Sequence, residues 1–213
     1  MAVATLHTFK TETGRLADHM AASVEGLEHL HRLGMQAALL NCTYGSDIGT
    51  MTTVINYANN ADHAAGNQKI VADEGWQEFW MRAAAGGSAT PVEAAVMQDV
   101  DASYQPPADR PFGVILATQW RAHPGRMMDF MGHVMESVPH IERMGGAVRV
   151  MQSLLGTHPM TTLVSTTFAD MDAYGAYADA TAGDAAWQEF WAGVMSDPTA
   201  DLVRSGVYVN MSG

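Results

Sequence analysis

The stretch Trp76-Gln77-Glu78-Phe79-Trp80 returns, letter for letter, as Trp187-Gln188-Glu189-Phe190-Trp191. Working outward from it, a shift of 111 positions aligns about Val3–Val100 with Val114–Met211 without a gap. Gly14 falls on Gly125, Arg15 on Arg126, Asp18 on Asp129, Glu25 on Glu136, His29 on His140 and Arg32 on Arg143. Gly34 falls on Gly145, Gly45 on Gly156 and Asp73 on Asp184. A period this long with no insertion marks two copies of one folding unit, not a solenoid of short repeats. The expected division is residues 1–100, a linker over 101–112 and residues 113–213.

Each copy reads in the same order. A short β-rich run, Val3–Phe9 or Val114–Trp120, leads into a glycine turn at Thr13-Gly14-Arg15 or Pro124-Gly125-Arg126. Leu16, Met20, Val24, Leu27 and Leu30 then recur at helical spacing, as do Met127, Met131, Met135, Val138 and Ile141. Gly34 and Gly145 end those helices. Strands are expected over about Met35–Tyr44 and Gly49–Tyr57, with copies at Gly146–Leu155 and Met160–Phe168. A second helical region spans about Asn60–Arg82 and Asp170–Met195, with Asp73 and Asp184 as caps restarting a helix before the tryptophan motif. A last strand, about Glu93–Val100 or Arg204–Met211, completes a β-α-β-β-α-β unit of ferredoxin-like order. Pro106, Pro107 and Pro111 make Asp101–Phe112 a stiff connection. One such unit covers one face of its sheet with helices, so the other face needs a partner, and the tandem copy supplies it.

Composition excludes several classes of function. The chain carries 11 Lys+Arg against 23 Asp+Glu, a formal charge of −12, which disfavours nucleic acid and anionic membrane surfaces. A single cysteine, Cys42, allows no internal disulfide and no cysteine-based zinc site. The amino terminus lacks a basic start followed by an apolar run, and no stretch reaches the length of a membrane span, so a cytoplasmic location is expected.

The Gly-Arg turn after the first strand and the Asp-x-x-Trp-Gln-x-Phe-Trp helix resemble those of the dimeric α/β-barrel superfamily, in its antibiotic-biosynthesis-monooxygenase, EthD-like and NIPSNAP-like branches. The resemblance covers nearly the whole chain. It implies an α+β fold in which two ferredoxin-like units form one barrel within the chain. It does not choose among the functions that fold carries.

By that resemblance, His7 aligns with a polar residue that faces the reaction cavity of the superfamily's haem-degrading monooxygenases, and Thr118 takes its place in the second copy. Tyr57 aligns with an aromatic residue lining that cavity, replaced by Phe168 in the second copy. His7 as base and Tyr57 as orienting group can deprotonate and position a phenol or enol. Phe9, Thr118, Trp120 and Phe168 are the expected substrate contacts. The other reading of His7 is a hydrogen-bonded interior histidine. The proximal histidine of those haem enzymes falls near Trp80 and Trp191, and an indole cannot ligate iron. Haem held in that manner is therefore not expected, ligation by another histidine staying open, and the overall expectation is no cofactor and no metal.

Two further features have double readings. Trp76, Phe79 and Trp80 share one helix face and either anchor the helix to the sheet or line an aromatic pocket. His133, Glu136 and His140 share a face of the first helix of the second copy, where they could make half a metal site; the first copy has Ala22 in place of His133. The alternative is a solvated stripe braced by ion pairs. The leading expectation is a cofactor-independent oxygenase, or related isomerase or cyclase, acting on a small apolar or aromatic molecule in a sheet–helix cavity. The competing one is a non-catalytic binding or assembly scaffold. Neither nucleic acid nor membrane is an expected partner, and a homodimer is left open.

Overall fold

The computed structural model describes residues 1–104 and 112–212; Pro106, Pro107 and Pro111 of the expected linker lie outside the described residues. The first copy runs β1 (Val3–Thr11), α1 (Leu16–Arg32), β2 (Gln36–Gly45), β3 (Thr50–Tyr57), α2 (Asn60–Ala72), α3 (Glu74–Gly86) and β4 (Ala89–Asp99). The second runs β5 (Val114–Ala122), α4 (Met127–Arg143), β6 (Ala147–Leu155), β7 (Thr161–Phe168), α5 (Met171–Gly183), α6 (Ala185–Ser196) and β8 (Ala200–Asn210). The last strand of each copy begins earlier than periodicity suggested, at Ala89 and Ala200, because its first residues pair with the far ends of β1 and β5.

Local chemistry sets these elements. Gly34, at φ +81°, ends α1, and the Met35 amide donates back to the Leu30 carbonyl at 2.9 Å. That is the hydrogen bond of a glycine-terminated helix. The second helical region breaks in both copies at the expected aspartate. The Asp73 carboxylate accepts from the Trp76 amide at 2.7 Å, and Asp184 accepts from Trp187 at 2.7 Å. Arg32 and Arg143 reach across from α1 and α4 to grip these two caps, each through two hydrogen bonds. A helix start and a helix–helix contact thus share one side chain.

The eight strands form one closed antiparallel barrel in the order β1-β3-β2-β8-β5-β7-β6-β4. Exchanging the copies leaves this cycle unchanged. The halves meet at two seams, β2 with β8 and β4 with β6. Alternation divides every strand. On β1, Val3 belongs to the core under the helices with Leu30, Ile55 and Tyr57, whereas Ala4 belongs to the lumen with Ala95, Met97 and Met151. Among the described residues no helix is long and apolar enough to cross a membrane.

The seams need glycine. Gly45 and Gly156, equivalent in the repeat, sit at φ +106° and +88°. A Cβ there would lie 2.2 Å from the Ser205 carbonyl oxygen and 1.9 Å from that of Ala94. Gly14 is also left-handed, at φ +79°, but has open space around it. We expect Gly156→Ala to cost about 3 kcal/mol by denaturant unfolding and Gly14→Ala about 1 kcal/mol. Equal losses would refute the seam argument.

The capping aspartates predict an acid response. The hydrogen bonds from Arg143 and from the Trp187 amide hold the Asp184 carboxyl well below the usual carboxylate range, and Arg32 with the Trp76 amide does the same for Asp73. A depressed folded-state pKa stabilises fully above about pH 4 and is lost as pH falls through the folded value. Thermal melts of Asp73→Asn/Asp184→Asn should therefore start lower at neutral pH and fall less on acidification than wild type. Parallel profiles would show that the caps do not carry the acid sensitivity.

Candidate functional site

Two cavities lie on opposite sides of the barrel wall. The larger, about 690 Å³, is the lumen itself. The smaller, about 170 Å³, lies between the β5–β7–β8 wall and the helices of the second copy. Its walls are the rings of Trp120, Phe130, Trp187, Phe190 and Trp191, with Thr118, His133 and Thr199 as polar groups.

The smaller pocket is built by the repeated motif, which supplies Trp187, Phe190 and Trp191 from α6. Trp191 stacks on Trp120 of β5 with ring centroids 6.0 Å apart, and Trp187 stacks on Phe190 at 5.5 Å. The Trp120 indole donates to the Thr118 hydroxyl at 3.0 Å, so that two neighbours on one strand face fix each other. His133 comes from α4; its Nδ1 lies 3.3 Å from the hydroxyl of buried Thr199, leaving Nε2 without a hydrogen-bond partner among the described residues. Helical phase suggested that His133 points away from the sheet, yet it borders this pocket. His140 instead packs against Phe190 and bonds Arg143, and no group of three or more potential ligands gathers around a metal-sized space among the described residues. The rest of the stripe is a network of ion pairs. Arg15–Asp18 and Arg126–Asp129 are at helical spacing; Arg32–Asp73 and Arg82–Glu25 reach to the next helix.

In the first copy the equivalent space is filled. Gly26 stands where the second copy has Ser137, and the Phe79 ring comes so close that a Cβ on Gly26 would sit 3.0 Å from it. Phe79 is accordingly buried, while its counterpart Phe190 stays half-exposed at the pocket wall. Phe9 packs edge-on against Trp80 and His19. His19 is itself buried and held by the Thr11 hydroxyl at 2.8 Å, where the second copy has Phe130. The Tyr57 ring lies over Gly66, where a Cβ would come within 2.6 Å of it. The second copy keeps a ring on the strand and adds one on the helix, with Phe168 against Tyr177 at 5.0 Å.

The expected site residues therefore divide. Thr118 and Trp120 line the 170 Å³ pocket, and Phe168 borders the lumen cavity as well as the helix-side core. His7, Tyr57 and Phe9 lie on the helix side of the first copy and line neither cavity. His7 and Tyr57 share a neighbour in His63 of α2. The His63 ring is 5.0 Å from that of Tyr57, and burial, then the charge of His63, lowers the His7 pKa below the ordinary histidine value. Burial raises the Tyr57 phenol, against an opposing influence of the Thr5 hydroxyl. Neither Tyr57 Oη nor Thr5 Oγ1 has a hydrogen-bond partner among the described residues.

Sequence reasoning missed the lumen altogether. At one end, the Arg149 guanidinium donates twice to Asp99 at 2.8 Å and once to Asn56 at 2.7 Å, with the Tyr104 ring 4.7 Å away. At the other, Arg204 pairs with Glu93 and lies 3.7 Å from Asp47, which accepts from the Tyr208 phenol at 2.5 Å. Burial, then the Asp47 carboxylate, pushes that phenol far up. Glu93 and Arg204 occupy equivalent positions of the repeat. The usable signal was a reversal of charge at an otherwise aligned position.

No family model matches the chain, and no curated protein matches it. Solved structures do. A candidate monooxygenase from Fusobacterium nucleatum subsp. nucleatum superposes with a TM-score of 0.66 at 11% identity, covering 100% of this chain and 95% of that one. An anthrone oxidase-like protein gives 0.60 at 14% identity, covering 99% and 91%. A candidate chlorite dismutase gives 0.60 at 8% identity, covering 99% and 94%. At such identities the likeness concerns the fold. With a closed eight-stranded barrel and six helices among the described residues, the chain has the dimeric α/β-barrel fold, both halves of the barrel being supplied by a single polypeptide.

Proposed function

We propose that the protein is a cofactor-independent oxygenase, or a related isomerase or cyclase, acting on a small aromatic molecule between the sheet and helices of the second copy. The observation that carries this reading is the aromatic pocket with a single histidine fixed at its edge. An apolar cavity of about 150 Å³ accepts a benzene-sized guest, so 170 Å³ suits one substituted ring. The Trp and Phe walls exclude water and admit dioxygen, which is itself apolar. His133, held through Nδ1 by Thr199, offers Nε2 as the base that takes a proton from a phenol or an activated carbon. Dioxygen then accepts the electrons of the resulting anion. Where it adds at a methylene carbon, loss of water leaves a carbonyl there. Structural neighbours of monooxygenase and anthrone oxidase-like kind support this chemistry at the level of fold.

A second reading keeps the site in the first copy, with His7 as base and Tyr57 orienting the substrate, and Phe9 beside them. It is supported by the unpartnered hydroxyls of Tyr57 and Thr5 and by a histidine that burial keeps neutral.

One experiment separates the two. Phenols and dihydric phenols should quench tryptophan fluorescence, since Trp120, Trp187 and Trp191 wall the pocket. With a phenol that consumes oxygen, His133→Ala should lower kcat about 100-fold or more and leave affinity within about threefold, as removal of a general base does. His7→Ala should keep most of the activity. The reverse pattern selects the first-copy site, and the absence of quenching by any phenol defeats the pocket.

A further inference from the structure

The lumen is the larger of the two cavities, and its size has a cause in the sequence. Eight-stranded barrels are just wide enough for side chains to fill, or to hold one small ligand. Here several inward positions are small: Ala38, Ala95, Ala117, Ala147 and Ser165 all border the cavity. At about 690 Å³ it falls within the usual range of ligand sites.

Its two ends differ. Near the start of β1, Asp99 and Arg149 neutralise each other, with side chains only 1% and 12% exposed. Toward the β2–β3 hairpin, two carboxylates, Asp47 and Glu93, surround one guanidinium, Arg204. Among the groups lining the cavity there, carboxylates outnumber cations by one, Lys10 lying outside the lining on the Ile48 carbonyl, and the carboxylates keep 17% and 14% exposure, so that end is also in contact with solvent. Glu93 and Asp99 lie on one strand about 20 Å apart at the usual rise per residue. Between them the wall is mostly apolar, from Leu6, Val54, Met97, Ile115 and Leu163, with the Thr8 and Thr52 hydroxyls among its polar groups, bonded to each other at 2.9 Å.

We propose that the barrel lumen is a second binding site, taking an elongated apolar molecule headed by a hydrogen-bond donor, a hydroxyl or a protonated amine, that docks between Asp47 and Glu93. Arg204 neutralises only one of the two carboxylates, so a donor head restores the balance and an anionic head is repelled. The apolar body replaces the side chains that the alanines do not supply. The site is separate from the aromatic pocket, from which the barrel wall divides it.

The test uses three ligands with one tail: dodecylamine, dodecanol and dodecanoate, each below its micellar concentration, titrated calorimetrically into the full chain. Dodecylamine should bind one per chain, at least about tenfold more tightly than dodecanoate, since like charges brought together cost affinity. Dodecanol should fall between them if the head is read as a donor, and match dodecylamine if charge contributes nothing. Asp47→Asn should reduce the amine-to-carboxylate ratio about fivefold or more. Ala117→Leu and Ala95→Leu, made separately so that one folded variant suffices, should abolish binding of all three while circular dichroism stays native. Dodecanoate binding as tightly as the amine would overturn the assigned chemistry. Failure of all three to bind, or full binding in a folded lumen-filling variant, would overturn the site.

Discussion

Closure of the sheet is the constraint on which everything else depends. Once β2 meets β8 and β4 meets β6, no strand edge is left to water, and the inner faces of both copies must share one interior. Each strand then serves two cores at once. Its outer side chains hold helices, as Val3, Ile55 and Tyr57 do, and its inner ones face the opposite copy, as Ala4 and Met97 do. A residue cannot slip by one place on such a strand without exchanging its environment completely. The glycines at the seams mark how tightly this is drawn, since backbone from the other copy occupies the space of their missing side chains.

Within that frame the copies have kept their backbone and exchanged their contents. Phe79 turns inward over Gly26, whereas Ser137 leaves Phe190 at the rim, so one helix-covered space is packed and the other open. At the other pair both copies keep a ring on the strand, Tyr57 or Phe168, and the second copy adds Tyr177 on the helix where the first has Gly66. The asymmetry that distinguishes a pocket from a packed core comes down to a few such swaps.

This explains what could be read in advance. The repeat, the turn glycines and the capping aspartates act through neighbours in sequence, so the order of elements and the breaks at Asp73 and Asp184 were legible. Alternation put His7 and Phe9 on one face of the strand, but did not say on which side of the sheet that face lies. The lumen was not legible, because its polar residues find partners across the seams: Arg149 of β6 meets Asp99 of β4 and Asn56 of β3. Their repeat counterparts, Ala38, Asn210 and Thr167, do not reproduce the set. Nor could spacing tell that His133 turns toward a pocket, since its direction depends on how α4 lies beside Thr199, the residue just before β8.

The pairing of Glu93 with Arg204 has a consequence for how such a molecule can exist. These two positions face each other across the axis that relates the copies. If the first copy assembled with a duplicate of itself, a glutamate would confront a glutamate there; a pair of second copies would set arginine against arginine. Opposite charges at one such place require that the two halves be different, and covalent linkage guarantees that each always meets the other. Fusion therefore does more than tether. It frees every position on the axis from the rule that a residue must be compatible with itself, and it lets the chain carry a heterodimer's interior with the stoichiometry of a monomer.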